Sequence, residues 1–219
     1  MQCNYPFPRA VLFDWDNTLM DTTPVLFKAF CVMRRHYDLP EYSMEEYQAK
    51  TGLSLRETFP DLFGDRWEEA KKVYLDAYQE NHLALLTPFE KARELVAFVH
   101  DKTGRAGVVS NKTGFILREE VDYLGWQDYF YAVVGAGDAP KDKPAPDPVF
   151  KALEGTGIVY ENGRLSEPVW FVGDGDADMR CAAAAGCLPV RMANENKDGP
   201  GVMTVKNCAE LLSVLYSYG

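Results

Sequence analysis

From Thr87 onward the chain alternates short apolar runs with helix-period segments, and this pattern leaves few folds open. Arg105 to Val109, Tyr131 to Val134, Val169 to Val172 and Leu188 to Met192 have the length and β-branched or aromatic content of strands. Between them, residues 89 to 102, 115 to 124 and 148 to 154, and the Ala-rich stretch closing at Gly186, read as helices. Asn207 reads as the cap of a terminal helix carrying Leu211, Leu212, Val214 and Leu215. Residues 9 to 15 add a first strand. The expected fold class is α/β, a Rossmann-like core with a parallel sheet and helices on both faces.

Residues 20 to 85 have a different texture. Thr22-Thr23-Pro24 reads as a helix start, with Thr as cap and Pro in the first turn, and the apolar face runs from Val25 to about His36. Pro40 ends that helix. Ser43 and Glu46 form a capping box for a second one, stopped near Gly52. A third short helix is expected from Leu53 to Leu62, and a long one from Asp65 to about Leu85, with Glu68 four residues before Lys72. No strand is expected in this stretch. The chain therefore divides into an α/β core, residues 1–18 and 87–219, and a small all-helical cap, residues 19–86, inserted after the first strand. The two connections, near Met20 to Thr23 and Leu85 to Pro88, make a natural hinge.

With 219 residues, 47% of them hydrophobic, the chain can bury a substantial core. Its net charge of −10 argues against a sequence-independent grip on nucleic acid or on an anionic membrane. The five cysteines, at positions 3, 31, 181, 187 and 208, are widely spread and lack zinc spacing, which fits a reducing compartment. The first ten residues have no apolar core of a signal peptide, and no run approaches the ~18 apolar residues of a membrane span. A cytoplasmic protein, monomer or homodimer, is expected.

In open parallel sheets the working groups collect beyond the carboxyl ends of the strands. Asp14 and Asp16 follow the first strand; Ser110, Asn111 and Lys112 follow Val109; Lys143 lies in the Pro-rich loop after the strand at 131–134; Asp174 and Asp178 follow Val172. Taken singly, each has a plain alternative as a helix cap or a solvated loop residue. Together they gather carboxylates, a lysine and a hydroxyl at one sheet edge. Two carboxylates about 5 Å apart repel by roughly 3 kcal/mol at an effective dielectric near 20, so the group calls for a cation. Oxygen donors without His or Cys select Mg²⁺. The chemistry indicated is phosphoryl transfer, with Asp14 as nucleophile and Asp16 as general acid and base. Ser110, with Asn111 beside it and the backbone N–H groups that follow, would hold phosphoryl oxygens, and Lys143 would supply fixed positive charge. Asp174 would bind the metal, and Asp178 would orient it.

D-W-D-N-T-L at 14–19, S-N-K at 110–112, K-P-A-P-D-P at 143–148 and G-D-G-D-A-D at 173–178 resemble, in order and in strand context, the four motifs of the haloacid dehalogenase superfamily. The resemblance implies Mg²⁺-dependent hydrolysis of a small phosphorylated substrate through an aspartyl-phosphate, and a helical cap that closes over it. It also implies metal ligation by the carboxylates of Asp14 and Asp174 and the backbone carbonyl of Asp16. D-T-T-P at 21–24 and the Lys143 motif resemble the phosphoglycolate phosphatase branch. Asp16 separates the chain from true dehalogenases, and Leu26 stands where mutases of the β-phosphoglucomutase type carry a His. Trp15 and Asn17 depart mildly from the commonest first motif. A sugar-phosphate mutase and a phospho-acceptor signalling module are the alternatives.

In the cap, Thr51 to Arg56 resembles a segment that faces the site in relatives, which makes Arg56 a candidate for substrate specificity. An exposed helix arginine is the plainer expectation for it. His36, His82 and His100 read as surface or packing residues, and the tyrosines at 37, 42, 47, 74 and 78 as cap core.

Overall fold

The computed structural model describes residues 5–50, 54–196 and 198–218. The first strand, β1 (Ala10–Phe13), leads through a two-residue strand, β2 (Met20–Asp21), into the cap helices α1 (Thr23–His36), α2 (Met44–Lys50), α3 (Leu55–Phe63), α4 (Trp67–Gln79) and α5 (His82–Leu85). The chain returns through β3 (Thr87–Pro88) to α6 (Ala92–Thr103), β4 (Ala106–Thr113), α7 (Gly114–Tyr123), β5 (Phe130–Ala136) and α8 (Asp147–Leu153). It finishes with β6 (Tyr160–Glu161), β7 (Arg164–Leu165), β8 (Val169–Gly173), α9 (Asp176–Ala185), β9 (Leu188–Met192), β10 (Met203–Val205) and α10 (Cys208–Tyr216).

Six strands form a parallel sheet in the order β10-β9-β8-β1-β4-β5, with β1 near its centre. Successive side chains of a strand face opposite ways, and β1 uses both faces. Val11 and Phe13 pack with Leu95 and Val99 of α6 and Leu211 of α10, whereas Ala10 and Leu12 pack with Val149 of α8 and Ala182 of α9. Burial on both sides explains why β1 and β8 are almost uninterruptedly apolar. The cap has a core of its own, in which Phe30, Phe59, Tyr74 and Tyr78 meet; Ile116 of α7 is the core-domain residue that joins it.

Four features differ from the sequence expectation, the first being that the single helix expected from Asp65 to about Leu85 is two, α4 and α5, parted at Glu80 and Asn81. The connections between the two units are paired strands: β2 and β3 form an antiparallel ribbon with Met20 opposite Pro88 and Asp21 opposite Thr87, so residues 20–85 do contain strand. The sheet has an edge strand, β10, in a stretch too short to announce itself, and Asn162-Gly163 closes a small hairpin. Thr22 occupies the N-cap position of α1 but makes no cap hydrogen bond with its side chain, and its buried hydroxyl lacks a partner. Thr23 takes the local bond instead, donating to Asn17 Oδ1 at 2.6 Å. The Ser43–Glu46 capping box is present in both directions, and Asn207 accepts the Glu210 N–H as expected of a cap. The expected helix stop near Gly52, and Thr51 to Leu53 of the cap segment, lie outside the described residues.

Candidate active site

The first motif is shaped by a tight turn. Asp14 continues β1 by donating its N–H to the Val172 carbonyl at 2.8 Å, and the Trp15 carbonyl then accepts the N–H groups of Leu19 and Met20, both at 3.0 Å. Asn17 turns the chain at φ 59, in the left-handed region that Asn tolerates better than most residues. Asp14 and Asp16 consequently line the cavity between core and cap, while Trp15 is fully buried against Trp126 and Phe130.

Lys143 reaches this point from the loop after β5. Its side chain is 2% exposed, and its ammonium donates to Asp14 Oδ1 at 2.8 Å, Asp178 Oδ1 at 2.7 Å and the Val109 carbonyl at 2.9 Å. Burial works against its charge, but the two carboxylates outweigh that and hold the ammonium above its ordinary range. Asn111 fixes the lysine's backbone, donating to the Lys143 carbonyl and accepting its N–H, each at 3.0 Å. The amide expected to touch phosphate thus has a positioning contact as well. Ser110 lies at the same cavity wall, and its hydroxyl accepts the Lys112 N–H at 3.2 Å.

One oxygen from each of Asp14, Asp174 and Asp178 lies within 4.8 Å of the others. Burial, with the neighbouring carboxylate of Asp178, pushes the Asp14 carboxyl up to about 7 despite Lys143. Burial, with Asp14 and Asp178, pushes Asp174 up to about 8. Three oxygen donors sharing one ammonium are short of positive charge, which is the donor set and electrostatic deficit that suits a hard divalent cation. Asp178 belongs to this cluster, and the side chain of Asp16 does not. Asp178 Oδ2 accepts the Gly175 N–H at 2.9 Å, which ties the start of α9 to the cluster.

Asp16 faces a second buried lysine. Lys112 Nζ lies 2.8 Å from Asp16 Oδ1, an ion pair without hydrogen-bond alignment. The same ammonium donates to Glu120 Oε2 at 2.6 Å and to the Tyr78 hydroxyl at 2.8 Å. Glu120 is wholly buried and also accepts from Trp15 Nε1 and the Tyr78 hydroxyl, each at 2.7 Å, with His82 Nδ1 at 3.0 Å. Burial opposes its charge, but His82 and Lys112 hold its carboxyl below the usual range. Sequence reading placed Lys112 in the second motif without a role and treated His82 and Tyr78 as packing; Glu120 it missed. The available signal was a lysine two residues beyond Ser110 and a glutamate eight residues later, in the helix that follows the strand, which says nothing of the cap residues that complete the network.

Arg56 does not line the cavity among the described residues. Its guanidinium forms a two-pronged pair with the carboxylate of Asp142, including Nη2 to Oδ1 at 2.6 Å, and Nη2 also donates to the Ala139 carbonyl at 3.1 Å. This joins cap helix α3 to the residue preceding Lys143.

The geometry has its counterpart in known proteins: the family model described as haloacid dehalogenase-like hydrolase matches residues 11–191, which spans all four motif loops. The chain belongs to the haloacid dehalogenase-like hydrolases. Within this family it is 31% identical over 196 residues to a phosphoglycolate phosphatase of Neisseria meningitidis, covering 83% of this chain and 79% of the relative. It is 29% identical over 180 residues to the pyrophosphatase PpaX of Bacillus pumilus, covering 81% and 80% of the two chains. A solved haloacid dehalogenase superfamily hydrolase of Ehrlichia chaffeensis superposes with a TM-score of 0.63 at 27% identity, covering 98% of each chain. As in other hydrolases of open parallel sheets, the family's acidic groups here sit past the carboxyl ends of the central strands. Among the described residues no helix is long and apolar enough to cross a membrane.

Proposed function

We propose that this hydrolase is a Mg²⁺-dependent phosphatase that cleaves a small phosphorylated metabolite through an aspartyl-phosphate on Asp14. The observation that carries the reading is the contact between Asp14 Oδ1 and Lys143 Nζ at 2.8 Å, inside a three-carboxylate cluster that opens on the cavity. Asp14 attacks phosphorus and the ester oxygen departs, taking a proton from Asp16. Asp16 then accepts a proton from the water that hydrolyses the aspartyl-phosphate. Lys143 and Ser110 hold phosphoryl oxygens. Asp14, Asp174 and the Asp16 backbone carbonyl would hold Mg²⁺, with Asp178 orienting them, and the ion would neutralise charge on the phosphoryl oxygens. The relatives' names divide between phosphoglycolate and pyrophosphate, both of which release an anionic leaving group, and do not choose between them. The free thiols of Cys31, Cys181, Cys187 and Cys208 suit a cytoplasmic location.

Phosphate release from a panel of phosphate esters, with Mg²⁺ and with chelator, tests this. Turnover is expected only with the metal, and Asp14→Asn should abolish it. Robust turnover by that variant would remove Asp14 from the role of nucleophile.

A further inference from the structure

The cavity, about 1380 Å³, has two unlike walls. The core wall carries the carboxylates, Ser110, Lys112 and Lys143. The cap wall is mostly apolar, with Leu26, Phe30, Leu55 and Phe59, carries the carboxylates of Glu57 and Asp61, and has neutral polar groups in Gln48 and Thr58 but, among the described residues, no cation. Among the described residues the lining cations are Lys112, Lys143, Arg180 and Arg191, and every one of them belongs to the core. Lys143 is paired with Asp14 and Asp178, and Lys112 with Asp16 and Glu120. Arg191 bonds Asp176 at 2.8 Å and Asp198 at 2.9 Å, and Arg180 stands exposed on α9.

Two cap arginines close to this wall are turned elsewhere. Arg56 is engaged by Asp142 and the Ala139 carbonyl. Arg34 donates to the Pro40 carbonyl and lies 3.8 Å from the centroid of the Tyr42 ring. Glu57, beside Arg56, is raised above its ordinary range by burial and by the charge of Asp142, as expected where negative charge is already in excess.

Resting on the phosphatase reading, we infer that the preferred substrates are phosphate monoesters whose leaving group is uncharged and carries an apolar or aromatic body. Once the phosphoryl group is seated on the core wall, the rest of the ester extends toward the cap. A second anionic group there would lose its hydration against rings and methyl groups and face Glu57 and Asp61. An uncharged ring or alkyl body gains by leaving water against the same surface. At about 1380 Å³ the cavity exceeds the ~300–1000 Å³ of drug-sized ligand pockets, so it has room for such a body, whereas a two-carbon acid would leave most of the space to water.

The test is a matched pair of substrates, 4-carbamoylphenyl phosphate and 4-carboxyphenyl phosphate, which share size and ring and differ by one charge. With Mg²⁺ present, kcat/KM is expected to favour the amide by about tenfold or more. Glu57→Gln should narrow that ratio by raising kcat/KM for the carboxylate, and Leu55→Arg should narrow it further by giving the cap wall a cation. Equal kcat/KM for the pair in the unmodified enzyme, or preference for the carboxylate, overturns the inference and leaves the phosphatase reading standing. Absence of phosphate release from both esters and from every ester of the panel would instead defeat the phosphatase reading, and this inference with it.

Discussion

Lys112 near the end of β4 and Glu120 within α7, eight residues apart, form a buried ion pair at 2.6 Å that joins the first motif to the cap. On one side Lys112 meets Asp16; on the other Glu120 receives Tyr78 of α4 and lies against His82 of α5. The group assigned to acid–base chemistry and the cap helices therefore share one network.

Removing one partner of such a pair leaves a buried charge uncompensated. Glu120→Ala is expected to lower unfolding stability by about 3–5 kcal/mol, and Lys112→Met by a similar amount. Combining them should cost clearly less than the sum of the two, because neither charge is then stranded. Urea denaturation of the four proteins measures this; additive losses would show that the pair is not coupled.

In the proposed mechanism, Asp16→Asn removes the proton donor to the leaving oxygen and the acceptor from water. A loss of about 10²–10⁴ in kcat is expected for alkyl phosphates. With 4-nitrophenyl phosphate the first step needs little protonation, so acid quenching should trap phosphoenzyme in the variant and far less in the parent protein. Undiminished steady-state turnover would count against the assignment.

Arg56 and Asp142 are 32% and 2% exposed in their side chains, so the pair is largely shielded from water. Arg56→Ala should destabilise the protein by about 1.5–3 kcal/mol, the range for hydrogen bonds to charged groups. Arg56→Lys should recover only part of that, since an ammonium cannot reproduce the planar two-pronged contact. Full recovery by lysine would show that charge alone matters.

The raised carboxyls of Asp14, about 7, and Asp174, about 8, predict how metal binding depends on pH. Between the ordinary carboxyl value of 3.8 and these values the metal-free folded protein holds protons that the unfolded chain has released. This contribution to stability is complete below about pH 3.8, declines above it by up to about 1.4 kcal/mol per pH unit for each group, and is fully lost above about 7 to 8. Mg²⁺ must displace those protons, so it should bind more tightly and raise Tm further at pH 8.5 than at pH 6. A Tm shift independent of pH would argue that neither carboxyl carries a proton in the metal-free state.

Much of the core was legible in the sequence because its signals are local. Apolar runs buried on both faces mark β1, β4, β8 and β9, and the polar residues that follow each run must lie at one sheet edge once the strands are parallel. That reasoning gathers Asp14, Asp16, Ser110, Lys143, Asp174 and Asp178 at one sheet edge, and in the structure all six line one cavity. The short strands β2, β3 and β10 escaped it, since two or three residues carry no period and become strands only by finding a partner.

The sequence by itself determined which residue types stand at the ends of the strands, because side-chain alternation and turn chemistry act over a few neighbours. Only the tertiary structure decided that Asn111 braces Lys143, that Arg56 grips Asp142, and that Tyr78 and His82 meet Glu120 some forty positions along the chain. Those contacts depend on how the cap packs against the core. Charged groups shielded from water pair with whatever counter-charge the fold brings within reach, and distance along the chain does not encode that choice.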